Sequence, residues 1–215
     1  LTTDTSPPVA TTAVDMAINL PSGAPLRGPF VSTDPTTYNQ STSTVAYDSK
    51  GAAHSTQYYF SKTAAGWDVS MTIDGGVVGA PQPFTFDANG ALLTPANGIM
   101  TFAPFTPLNG AAPMDVSLNL LKTTEYGSEF VVNSINPDGQ SAGRLRSVEV
   151  EANGTVFARF SNGQSNALGK IALANFSNPE GLLKVSDNSF QETFNSGVAQ
   201  PGQATLSDFG SIQAG

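Results

Sequence analysis

Apolar and polar residues alternate in short runs along most of the chain, and no stripe of period 3.6 persists anywhere. Residues 13–20 place Val14, Met16, Ile18 and Leu20 on one face, which predicts a strand. Pro21, Gly23, Pro25, Gly28 and Pro29 then break the pattern and read as a connector. From residue 37 to 121 strand-like runs recur at 43–47, 54–60, 67–73, 83–86, 91–93, 99–102 and 114–120. Asp48-Ser49-Lys50-Gly51 joins the first two as a turn, so they form a hairpin. Asp74-Gly75-Gly76 and Asp87-Ala88-Asn89-Gly90 are further turns. Residues 126–143 are polar, with Asn136-Pro137-Asp138-Gly139 as their strongest turn. Residues 144–151 and 155–160 then pair around Asn153-Gly154. Leu145, Ser147 and Glu149 lie on one side of the first of these strands, and Arg146, Val148 and Val150 on the other. An apolar strand is expected at 169–176, a turn at 178–181, and an extended tail at 1–8. Evenly spaced short strands with Gly and Asn turns predict an all-β protein of sandwich- or barrel-like domains.

Composition agrees and removes several function classes. Ser, Thr, Asn and Ala abound beside Gly 21 and Pro 15, while charged residues are only 12% of the 215, about half the usual share. Helical bundles and coiled coils draw on Glu, Lys, Leu and Arg, so this composition argues against them. Nine Lys and Arg against seventeen Asp and Glu give a formal charge of −8, which argues against nucleic acid and anionic lipid as partners. The apolar run at 99–105 is broken at Pro104 and falls far short of the ~20 residues that span a bilayer. Cysteine is absent, which excludes disulfides, thiolate catalysis and Cys-based metal sites. The polar start at Leu1 has no basic n-region of a signal peptide. Leu1 is also not a start methionine, so the chain reads as a piece of a longer protein.

Candidate chemistry is sparse, and no catalytic, cofactor-binding or metal-binding residues are assigned. His54, the only histidine, opens a strand after a turn and reads as a hairpin residue. A Ser–His–Asp triad would need a serine and an acid brought to it, and the chain lacks a Gly-x-Ser-x-Gly elbow. Asp48, Asp74, Asp87, Asp138 and Asp187 sit in turns, where an Asp bonds the backbone two residues on. The stretch from Asp138 lacks the alternating oxygen ligands and closing Glu of a calcium loop. No pair of carboxylates stands out as a glycosidase couple. Trp67, Tyr58 and Tyr59 are the candidates for a sugar-binding platform, but alternation puts Tyr58 with Phe60 on one face and Tyr59 on the other. Gly75-Gly76-Val77-Val78-Gly79 lacks the Lys-Ser/Thr and helix of a phosphate loop and reads as a turn or mobile tip.

Three stretches carry more information. Tyr38-Asn39 and then Ser43-Thr44-Val45-Ala46-Tyr47-Asp48-Ser49-Lys50-Gly51-Ala52-Ala53-His54 resemble the middle region of bacterial flagellar hook proteins, and Tyr58-Tyr59-Phe60-Ser61-Lys62-Thr63 with Trp67 continues the likeness. Leu168-Gly169-Lys170-Ile171-Ala172-Leu173-Ala174-Asn175-Phe176-Ser177-Asn178-Pro179-Glu180-Gly181-Leu182 resembles a signature that the hook family shares with rod proteins. Asp187-Asn188-Ser189-Phe190-Gln191-Glu192-Thr193 with Ser196-Gly197 matches the run that follows, with Ser186 where a Gly is usual.

The resemblance implies two β domains, one inserted in the other. Residues 1–27 with 143–215 would form a discontinuous inner domain, and 28–142 an inserted outer one contacting its neighbours along the tube. The composition breaks near 25–29 and 136–143 lie at the same places. The helical terminal regions of the family would lie outside this piece, leaving it monomeric when isolated. The implied function is a structural subunit of the hook, a flexible universal joint that passes torque from rod to filament. The implied partners are other hook subunits in a helical tube, the hook cap, the rod and the hook–filament junction proteins. The implied location is the extracellular flagellum, reached through the flagellar type III system without a cleaved signal. The alternatives are a carbohydrate-binding β module, a His54 enzyme, or a distal rod protein of the same axial family, which the long insertion argues against.

Overall fold

The computed structural model describes residues 5–186, 188–206 and 209–213. Within them the alternating runs become strands, and the one helical element is a 3₁₀ turn at Pro179–Gly181. The chain divides into two compact units. An inserted unit runs from Pro7 to Ala142, and a split unit combines the residues up to Ser6 with those from Gly143 onward.

The first strand, β1 (Thr5–Ser6), belongs to the split unit. The inserted unit then holds β2 (Ala13–Pro21), β3 (Gln40–Tyr47), β4 (Ala53–Thr63), β5 (Gly66–Ile73), β6 (Gly76–Val77), β7 (Gln82–Phe86), β8 (Leu92–Thr94), β9 (Ile99–Thr101), β10 (Ser117–Asn119), β11 (Thr124–Tyr126) and β12 (Val131–Pro137). One sheet runs β3-β4-β5-β7-β8, antiparallel throughout, with the short β6 folded back on β5. The other is built around β2, with β12 antiparallel to it and β10 and β11 parallel to it; β9 pairs antiparallel with β10.

Strand alternation makes the core of this unit. Val14, Met16, Ile18 and Leu20 of β2 are all buried, together with Leu118 and Met100 of its neighbours. They join Tyr58 and Phe60 of β4, Trp67, Val69, Met71 and Ile73 of β5, and Phe84 of β7 in one apolar cluster. Each such side chain contributes about 1.5–3 kcal/mol relative to leaving it in water. A polar stitch crosses between the sheets. Glu125 Oε1 of β11 accepts from Lys62 Nζ of β4 at 2.6 Å and from Trp67 Nε1 of β5 at 3.0 Å. The Asp87–Gly90 turn closes against β11, and Gly90 is required there. Its φ is +78°, and a Cβ would lie 2.4 Å from the Glu125 carbonyl oxygen.

The split unit is shallower. Its main sheet, of order β1-β13-β14-β15, contains β13 (Gly143–Val150), β14 (Thr155–Phe160) and β15 (Ser165–Lys170), all antiparallel. Beyond it are β16 (Ala172–Asn175), β17 (Leu183–Ser186), β18 (Ser189–Gln191) and β19 (Gln200–Gln203), forming two-stranded pairs β16–β19 and β17–β18. Among its described residues the buried apolar side chains are Ala158, Phe160 and Ala204.

Several expectations need correction. Residues 7–27 do not belong with the C-terminal part, because β2 takes its partners from β10, β11 and β12. The first boundary of the insertion therefore lies near 6/7 and not at 27/28. The expected tail is partly structured: Thr5 and Ser6 pair with Arg144 and Gly143, while residues 1–4 lie outside the described residues. Asn136-Pro137 is not a turn but the end of β12, which a bulge between Val132 and Ser134 keeps in register with β2. The expected strand at 169–176 is broken at Ile171, whose N–H donates to Gly154 O between β15 and β16. Gly76-Val77 is not a free tip, since it pairs with Ile73 and Thr72. Among the described residues no helix is long and apolar enough to cross a membrane.

Candidate functional site

The densest polar constellation surrounds His54 in the inserted unit. The β3–β4 hairpin pairs Ala46 with His54, so Asp48, two residues past Ala46, turns back over the histidine. Asp74 arrives from the end of β5, whose Ile73 pairs with Thr56 of β4. Register alone therefore brings two carboxylates to one imidazole. Nδ1 lies 2.7 Å from Asp74 Oδ2, and Nε2 lies 3.3 Å from Asp48 Oδ2.

Asp48 is fully buried, and its oxygens are saturated with donors. Oδ1 accepts from the backbone N–H of Lys50 at 2.8 Å and of Ala52 at 2.9 Å, and Oδ2 accepts from Asn109 Nδ2 at 2.5 Å. Burial opposes ionisation of this carboxyl. The hydrogen bonds from Asn109, Ala52, Lys50 and His54 outweigh it and hold the group well below the ordinary carboxylate range. Burial likewise favours a neutral His54. Hydrogen bonds to Asp74 and Asp48, aided by their charges, outweigh it and raise the imidazole above its ordinary value.

This arrangement is not a hydrolase triad. Both ring nitrogens face carboxylates, which leaves neither to activate a serine hydroxyl. Among the described residues no group of His, Cys, Asp and Glu is arranged to hold a metal ion. The proposed sugar platform does not exist as a surface: Tyr58 and Trp67 are in the core, and Tyr59 is 7% exposed beneath Phe30 and Tyr38.

The other turn aspartates act as local fasteners. Asp87 Oδ1 accepts from the N–H groups of Asn89 and Ala91, in the expected manner. Asp138 instead reaches across to the start of β2, taking the N–H groups of Thr12 and Ala13 and the Thr12 hydroxyl. Asp187 lies outside the described residues. The convergence of Asp48 and Asp74 on His54 escaped the sequence reading, though the hairpin register contains it. Asn109 carried no signal in the sequence.

Comparison with known proteins decides the family. Residues 19–140, more than half of the chain and all within the inserted unit, match the model of the flagellar basal body protein FlaE D2 domain. The chain belongs to this family of flagellar hook proteins. It is 36% identical over 215 residues to the flagellar hook protein FlgE of Escherichia coli (strain K12), covering 95% of this chain and 52% of that protein. It is 35% identical over 216 residues to FlgE of Salmonella typhimurium, covering 96% and 53%. Against the crystal structure of the Helicobacter pylori flagellar hook protein FlgE2 the TM-score is 0.49 at 22% identity, covering 76% of this chain and 39% of that one. The hook-family chain thus spans about half the length of the curated relatives it matches.

Proposed function

We propose that this chain is part of a structural subunit of the bacterial flagellar hook, built into a tube from many copies of itself. The observation that carries this reading is the likeness to proteins named flagellar hook protein along almost the entire chain, at 95% and 96% coverage. A buried, carboxylate-paired His54 and buried aromatic residues accord with a structural role and not with catalysis or sugar binding. The subunit works as an element of a flexible joint that carries torque from rod to filament. Low charge and many Ser, Thr and Asn side chains suit contacts that are wet and adjustable and free of desolvated ion pairs. Hook cap, rod and junction proteins are its further partners, and the type III pathway is its route out of the cell.

Antibodies raised against the Pro7–Ala142 unit test this directly in electron micrographs of whole flagella. Decoration of the short curved segment between cell body and filament is the expected result. Decoration of the rod or filament instead, or normal hooks in cells lacking the gene, would refute the assignment.

A further inference from the structure

Residues 106–113 form a closed excursion on the inserted unit. Phe105 and Met114 tie its base, with Phe105 N–H donating to Met114 O at 3.0 Å and Met114 N–H to Phe105 O at 2.7 Å. The excursion rests on the β3–β4 turn through three hydrogen bonds. Asn109 Nδ2 donates to Asp48 Oδ2, Lys50 Nζ donates to Asn109 O at 2.9 Å, and Ala112 N–H donates to Ser49 Oγ at 3.0 Å. Between the excursion and the ends of β4 and β5 lies a cleft of about 480 Å³, walled by His54, Ile73 and Asp74 on one side and Phe105, Leu108 and Asn109 on the other.

The ionisable groups facing His54 are Asp48 from the β3–β4 turn and Asp74 from the β5–β6 turn. From the excursion side it meets the uncharged Phe105 ring, edge-on at 5.7 Å between centroids, and its partner on β3 is Ala46. Lys50, on the same turn as Asp48, spends its ammonium on the Asn109 carbonyl. Ionised carboxylates only accept hydrogen bonds, so both contacts are satisfied only when both ring nitrogens carry protons. A neutral ring turns one lone pair toward a carboxylate. A neutral ring protonated on Nδ1, toward the shorter contact at 2.7 Å, sets its Nε2 lone pair against Asp48 Oδ2 at 3.3 Å and makes that contact repulsive.

We propose that His54 is a proton-controlled latch: its imidazolium joins the β3–β4 and β5–β6 turns and, through Asp48 and Asn109, fastens the 106–113 excursion, and deprotonation loosens that excursion and opens the cleft. While both carboxylates are ionised, the latch is closed below the titration of the folded-state histidine and is released as pH rises through it. Its consequence is a subunit surface, bearing the fully exposed Leu108, whose stiffness responds to the pH outside the cell.

Because His54 is the only histidine, its NMR titration in this chain is unambiguous. The expected midpoint lies above 6.5, with the neutral ring as the Nδ1–H tautomer. Amide-exchange protection at Ala111 and Ala112, corrected for intrinsic rates, should fall about tenfold with the same midpoint. Asp74→Asn should lower that midpoint, and His54→Gln should abolish the pH dependence of protection. A midpoint at or below 6.5, an Nε2–H neutral ring, or protection that stays flat across the His54 titration would overturn the proposal. The measurements on the unaltered chain decide it even if the His54→Gln variant fails to fold.

Discussion

The two units of this hook-family chain share a low-charge, Ser/Thr-rich sequence and are both built from strands, yet they hold themselves together differently. The inserted unit places two multistranded sheets face to face, and their inward residues, from Val14 to Leu120, form one continuous buried cluster. The split unit has one four-stranded sheet and two isolated strand pairs. Among its described residues Val148, Leu183, Val185, Phe190, Phe194 and Val198 are exposed, and Phe160 is the one large side chain buried. A two-stranded pair is marginal by itself in water. Local polar bonds therefore do in the split unit what apolar burial does in the inserted one. Ser196, fully buried, donates to the Thr193 carbonyl at 2.9 Å, and Thr193 Oγ1 donates to Gly181 O at 2.6 Å, fixing the 3₁₀ turn to the following loop. The lesson is that strand content does not measure rigidity: layered sheets bury side chains, and solitary hairpins do not.

Substitutions can break or sharpen this contrast. The largest effect is expected for Phe60→Ala, which opens a cavity between the two sheets of the inserted unit. It should cost about 3–5 kcal/mol. Trp67, the single tryptophan, lies in the same core and reports that loss as a lower urea midpoint in its fluorescence.

A smaller effect is expected for Asp138→Ala, which unfastens the end of β12 from the start of β2. Asp138 is solvent-exposed, so its hydrogen bonds should contribute only about 1 kcal/mol. The partial desolvation it suffers beside β2 opposes its ionisation, but the Thr12 hydroxyl and the N–H groups of Ala13 and Thr12 outweigh it and lower its pKa below the ordinary 3.8. A depressed carboxylate stabilises the fold above its unfolded-state pKa, and that contribution disappears as pH falls below 3.8 through the folded-state value. Acid titration of stability should thus be shallower in Asp138→Ala than in the natural chain.

The smallest effect is expected for Phe194→Ser. The ring is fully exposed, so thermal stability should move by less than about 0.5 kcal/mol. A larger loss would mean that the split unit possesses a core after all.

How much of this was legible follows from which information is local. The inward face of β2 is written in its own alternation, and the β3–β4 hairpin in Asp48-Ser49-Lys50-Gly51 and its flanks. The assignment of β2 to the inserted unit is not local, since its partners lie about a hundred residues further on and nothing within 7–27 names them. Asn136-Pro137-Asp138-Gly139 reads as a turn because each residue favours one. Pro137 is nonetheless the last residue of β12, where a missing N–H is tolerated, and Asp138 spends its oxygens on β2 instead of its own loop. The His54 site was half visible. Asp48 and Asp74 read correctly as turn residues, but their meeting at one imidazole depends on the register of three strands, and Asn109 reaches it from a loop without regular structure.

Native-state hydrogen exchange of this chain tests the contrast most directly. Amides in the middle of β4 and β5 should exchange only through global opening of the inserted unit, while those of β17 and β18 exchange faster by at least about a hundredfold through local opening. Equal protection in the two sets would contradict the account, because it would require the split unit's exposed strand pairs to be held as firmly as the buried sheets.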